Sequence, residues 1–147
     1  MKSAIVTGLV VAALGCAVVS DAQAQNSFQQ QVRNYLNRAA ASLVQRGYNP
    51  GGDPITGSLN SGARENYMIQ LQAGVAYAIV GVCDNDCTDV DLRVWDGNGN
   101  KLAEDIATDD TPVLQFTSTT SGQYRVSVEM ATCSTNPCYW GFQIFRR

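Results

Sequence analysis

The spacing of apolar residues changes once along the chain, near residue 50. From residue 27 to 46, Phe28, Val32, Tyr35, Leu36, Ala39 and Leu43 recur at steps of three and four, which gathers them on one face of an amphipathic helix. Ser27 and Gln30 predict a capping box at its start. Gly47 and Pro50 predict its end, with Arg46 set against the last carbonyls. Asn49 to Pro54 has the composition of a linker. Beyond it the period is two. Strands are expected at Ile55–Leu59, Glu65–Leu71, Val75–Cys83, Val90–Trp95, Lys101–Ala107, Val113–Thr117, Gln123–Ala131 and Tyr139–Phe145. Val75–Cys83 is apolar on both faces, as in a central strand, whereas Tyr124, Val126, Val128 and Met130 mark one inward face. Asp96-Gly97-Asn98-Gly99-Asn100 is a turn signal that predicts a hairpin around it. About eight short strands at this spacing predict an all-β chain, a jelly-roll-type β-sandwich preceded by one short amphipathic helix.

The N-terminus reads differently. Lys2 precedes an apolar run from Ala4 to Val19, and Ala22-Gln23-Ala24 fits a signal-peptidase site, which would make Gln25 the first mature residue. Thr7, Gly8 and Gly15 interrupt the run, which disfavours an uncleaved anchor. Leu14-Gly15-Cys16 resembles a lipid-attachment box, but Ala13 stands where leucine is usual. The expected organisation is a signal peptide at 1–24, a helix at 25–48, a linker at 49–54 and a sandwich domain at 55–147. Export to the periplasm or the medium follows, with no membrane span after cleavage.

Net charge is −3, but its distribution is uneven: nine acids stand between Asp84 and Asp110 against Arg93 and Lys101, and residues 25–52 hold arginines and no acid. The basic residues are few and not interleaved with aromatics, so nucleic acid is not an expected partner. The chain has no histidine, which removes the Ser-His-Asp and Cys-His arrangements. Carboxylate-dependent glycoside hydrolysis by Asp84, Asp86, Asp89, Asp91 or Asp109 is the one catalytic alternative.

Cleavage would leave four cysteines, an even set that suggests disulfides in an oxidising compartment. Local pairing, Cys83–Cys87 and Cys133–Cys138, is preferred and would shape two loops at one end of the sandwich. Crossed pairing of 83 with 138 and 87 with 133 stays open, and so does a zinc site. Calcium is the only cofactor the acids suggest, with Asp84, Asp86, Asp89, Asp91, Asp109 and Asp110 as candidate ligands, since crowded carboxylates repel one another unless a cation offsets them; a solvated acidic rim without a metal is the alternative. Among the aromatics, Trp95 and Trp140 are candidates for a binding platform, with core packing as the alternative.

Ile55-Thr56-Gly57-Ser58-Leu59, Glu65 to Leu71, Ala73 to Tyr77, Asp89 to Asp96, Gly99, Asp110-Thr111-Pro112 and Ser121 to Val126 follow one another in an order that resembles the bacterial pre-peptidase C-terminal (PPC) domain family. The resemblance covers most of residues 55–147. It implies an exported jelly-roll sandwich, often a tail on secreted proteases, some of whose members bind calcium or polymeric substrates such as collagen. This chain departs from the pattern: a helix stands where a catalytic domain would be, and both cysteine pairs are additions. The expected function is an exported non-catalytic binding or accessory module with a protein or polysaccharide partner. A structural or assembly protein whose helix docks a partner is the alternative, and a small carboxylate-dependent hydrolase is the second.

Overall fold

The computed structural model describes residues 21–147, the side chains of residues 21 and 22 aside. The apolar run of the expected signal peptide lies outside the described residues. Helix α1 (Asp21–Gln45) is followed by strands β1 (Asn49–Pro50), β2 (Ile55–Leu59), β3 (Arg64–Leu71), β4 (Ala76–Cys83), β5 (Cys87–Trp95), β6 (Lys101–Asp105), β7 (Val113–Thr117), β8 (Gly122–Cys133) and β9 (Cys138–Arg146).

The strands form two antiparallel sheets. In the first, β9 pairs with both β1 and β2 on one side and with β4 on the other, and β4 pairs with β7. The second runs β3–β8–β5–β6. From β2 onward, only β5 and β6 are chain neighbours within one sheet; every other connection crosses between sheets, which gives the expected jelly-roll order. The Asp96–Asn100 turn joins that hairpin, with the Asp96 carboxylate accepting the N–H groups of Asn98 (2.9 Å) and Asn100 (2.8 Å).

The inter-sheet core takes Ile69, Leu71, Ile79, Leu92, Val94, Tyr124, Val126, Val128, Met130, Trp140 and Phe142. A second apolar layer lies on the other side of the first sheet. There Val32, Leu36, Ala40 and Leu43 of α1 pack with Ala78, Val80, Val82 and Phe145. This explains the uniformly apolar β4: Tyr77, Ile79 and Cys83 fill the sandwich, and the alternate residues meet the helix. Burying a side chain such as Leu36 stabilises by about 1.5–3 kcal/mol, so the helix is a structural layer of the fold. Its apolar stripe is covered by the chain's own sheet, which corrects the alternative of a helix that docks a partner through that stripe.

Three local expectations change. The helix begins before Ser27, whose Oγ donates to the Ala24 carbonyl (2.7 Å) within the helix and does not cap its start. The C-terminus is as expected: Gly47 has a φ of 84°, its N–H donates to the Val44 carbonyl (3.0 Å), and the Tyr48 N–H donates to Leu43 (3.1 Å). Arg46 Nε donates to the Ser42 carbonyl (3.1 Å). The segment 49–54 is not a free linker, because Asn49 and Pro50 pair with Arg146 and Phe145. Strand β6 stops at Asp105, whose carboxylate turns back to accept the N–H groups of Ala107 (3.3 Å) and Val113 (2.9 Å) and so ties β6 to β7.

Both cysteine pairs are local disulfides, Cys83–Cys87 and Cys133–Cys138. The crossed pairing and the zinc site are thereby corrected, since each sulfur is bonded to its near neighbour. The first disulfide joins β4 to β5 and the second joins β8 to β9, so each closes a place where the chain passes from one sheet to the other. Cys87 and Cys133 are paired residues of β5 and β8, which puts both staples at one end of the sandwich.

Candidate binding face

The first sheet is covered on both sides, but among the described residues no element is layered over the outer side of the second sheet. Strand alternation sends the residues between the inward Tyr124, Val126 and Val128 to that outer side. The register aligns them in rows across the strands. One row is Met68, Arg125, Trp95 and Lys101; the next is Asn66, Ser127, Arg93 and Glu104; the third is Arg64, Glu129 and Asp91.

Ion pairs tie the rows together. Arg93 is the hub: Nη1 lies 2.6 Å from Glu129 Oε2, Nη2 3.1 Å from Asp91 Oδ2, and Nε 3.6 Å from Glu104 Oε2. Arg64 also donates to Glu129, and Lys101 Nζ lies 2.6 Å from Glu104. Burial raises the Glu129 carboxyl, but the bonds from Arg64 and Arg93 outweigh it and hold the group below the usual carboxylate range. At Asp91 the balance is reversed: burial pushes the carboxyl up despite Arg93. Beside this network the Arg125 guanidinium lies 4.3 Å above the centre of the Trp95 ring. Met68, its neighbour across the strand, is 58% exposed.

The six candidate calcium ligands are not brought together. Asp84 is buried at the β4–β5 corner, where its carboxylate accepts the N–H groups of Tyr139 (2.8 Å) and Asp86 (3.2 Å); burial nonetheless raises its pKa. The Asp86 carbonyl accepts both N–H and Oγ of Ser134, each at 2.8 Å, and so joins the two disulfide corners. Asp91 belongs to the ion-pair network. Asp89 keeps one buried carboxylate oxygen without a partner among the described residues. Asp109 accepts the Thr111 N–H (2.9 Å), and Asp110 accepts the Thr111 hydroxyl (2.9 Å). Among the described residues no group of three or more acids or cysteines is placed to hold a metal ion. The expected constellation is corrected on geometry: most of these carboxylates are taken up separately by backbone N–H, hydroxyl or guanidinium groups.

The two candidate tryptophans also separate. Trp140 is 1% exposed, stacked on Phe142 (5.9 Å) with the Tyr67 ring edge-on to it (5.4 Å), and is core, not platform. Trp95 remains on the open face. Arg125 and Met68 were not expected as site residues. Their signal was parity in β8 and β3, but only the register places them beside Trp95.

No family model matches the chain, and no curated protein matches it. The resemblance to the PPC family rests on its ordered residues alone. Among solved structures, the periplasmic lysozyme inhibitor PliG of Aeromonas hydrophila, an inhibitor of g-type lysozyme, is similar: 13% identity, a TM-score of 0.48, 65% of this chain and 85% of that chain covered. A likeness this distant assigns neither partner nor activity. Among the described residues no helix is long and apolar enough to cross a membrane.

Proposed function

We propose that the chain is an extracytoplasmic, non-catalytic binding module that holds a protein partner on the outer face of its second sheet. The observation that carries this reading is the Arg125–Trp95 stack beside exposed Met68, set against an ion-pair network centred on Arg93. Trp, Arg and Met are the residue types enriched where protein interfaces are tightest. A side chain already held by a neighbour loses less freedom on binding, and both Trp95 and Arg93 are so held. Two buried disulfides support an oxidising compartment. The absence of histidine and the separate engagement of the carboxylates support a role without catalysis.

The test is capture with the full chain, tagged at its C-terminus and cross-linked in the extracytoplasmic fraction of the source cells. One protein should be retained by the wild type and by Gln29→Ala. It should be lost from a Trp95→Ala, Arg125→Ala double variant that melts at an unchanged temperature. Retention by the double variant contradicts the reading.

A further inference from the structure

The cations on the outer side of the second sheet are not equivalent. Arg64, Arg93 and Lys101 each lie against a carboxylate of Asp91, Glu104 or Glu129. Over the three rows the network therefore closes on itself, cation against acid. Arg125 stands outside it: no carboxylate lies within ion-pairing distance of its guanidinium among the described residues. It is the one positive charge those rows leave over.

The register explains why. The row that holds Arg125, with Met68, Trp95 and Lys101, contains no acid. The row beyond it pairs Gln70 with Gln123, both neutral and exposed. Asp96 follows Trp95 in the chain, but its carboxylate is spent on the turn. There Oδ1 accepts the N–H groups of Asn98 (2.9 Å) and Asn100 (2.8 Å), and Oδ2 accepts the Asn100 side-chain amide (3.0 Å). Asp89 stands near the opposite end of β5, about 20 Å along the strand from Trp95.

What Arg125 has instead of an acid is the indole, 4.3 Å below its guanidinium carbon. A ring in that position attracts the cation through its π face and leaves the in-plane N–H donors for another acceptor. A guanidinium already held in this way loses less freedom when a second group arrives. Arg125 and Met68 are exposed, and Trp95 beneath is half-buried. The surface thus offers a fork of donors, net positive, beside a flexible apolar side chain. Its complement is a carboxylate, which meets such a fork with two parallel N–H···O bonds, and next to it an apolar group to cover the thioether.

Resting on the reading of this face as a protein-binding surface, we infer that the partner presents an Asp or Glu carboxylate to Arg125 and an adjoining apolar side chain to Met68. The test is selection of phage-displayed linear peptides on the immobilised full chain, then titration calorimetry with the synthetic peptides. Peptides bound by the wild type and not by the Trp95→Ala, Arg125→Ala double variant should carry an acid beside an apolar residue. Replacing that acid by its amide, or Arg125→Gln in the chain, should each weaken binding about tenfold or more. The two changes together should weaken it little further, since both remove one contact. Arg125→Lys should restore part of the loss, and Lys101→Gln should have a much smaller effect because Glu104 already holds that ammonium. Face-dependent peptides without acids overturn the inference and leave the face a protein-binding surface. So does strict additivity of the two changes, or an Arg125→Gln effect no larger than that of Lys101→Gln. Failure to select any face-dependent peptide, with or without capture of dextran sulfate through Arg125, overturns the reading beneath it as well.

Discussion

Gly141 of β9 lies directly under Val32 of α1: a Cβ at residue 141 would stand 2.7 Å from Val32 Cγ1, and also 3.0 Å from Leu36 Cδ1. Valine has little rotamer freedom with which to yield, so the helix could accommodate a methyl there only by rising off the sheet. Gly141→Ala is expected to cost about 1–3 kcal/mol by overpacking. Adding Val32→Ala should recover part of that loss, because the two sites share one contact. Urea denaturation of the two single variants and the double variant checks this. Strict additivity would mean that the helix does not sit where it is described.

The disulfides close the two passages between sheets at one end. Each loop is short, so each bond is expected to contribute about 2 kcal/mol through the unfolded chain. Cys133→Ser with Cys138→Ser should lower the free energy of unfolding, measured by urea denaturation, by that amount. A variant that keeps wild-type stability would show that the Asp86–Ser134 contact, and not the sulfur bridge, holds the corner.

The pH dependence has two parts of opposite sign. Glu129 has a folded pKa below its unfolded value, so its stabilising contribution is present above about pH 4.3 and is lost as pH falls through the folded value. Asp84 has a folded pKa above its unfolded value. Its contribution is therefore fully present below about pH 3.9 and is lost as pH rises through the folded pKa. NMR titration of the side-chain carboxyls should place Asp84 above and Glu129 below their usual ranges. In stability measurements, Glu129→Gln should be less stable than the wild type at neutral pH, with the gap closing in acid. A gap that stays constant down to pH 3 contradicts the Arg93 network.

Much of this architecture was legible in the sequence because burial leaves a period. β4 announced itself by being apolar on both faces, and β8 by Tyr124, Val126, Val128 and Met130 at alternate positions. The helix stripe was legible for the same reason, and the second face of β4 is what that stripe covers. The start of α1 was not legible: Ser27 is as good a cap as it is a back-bonding residue inside a helix, and only the chain before it decides. The two tryptophans could not be told apart because β9 is apolar on both sides. Which side of Trp140 met the sandwich depended on Gly141 facing the helix. The network around Arg93 was half visible, with Asp91 two residues away on the same strand face. Glu129 and Arg64 reach it only through the register of β8.

The most direct test of the whole account is hydroxyl-radical footprinting of the full chain, alone and in complex with the protein it captures. Met68 and Trp95 should be readily oxidised in the free chain and protected in the complex, while Leu36, Phe145 and Trp140 stay unmodified in both. Free reactivity at Leu36 and Phe145, or a complex that leaves Met68 and Trp95 as reactive as before, would contradict a fold whose first sheet is sealed by its own helix and whose second is left open for a partner.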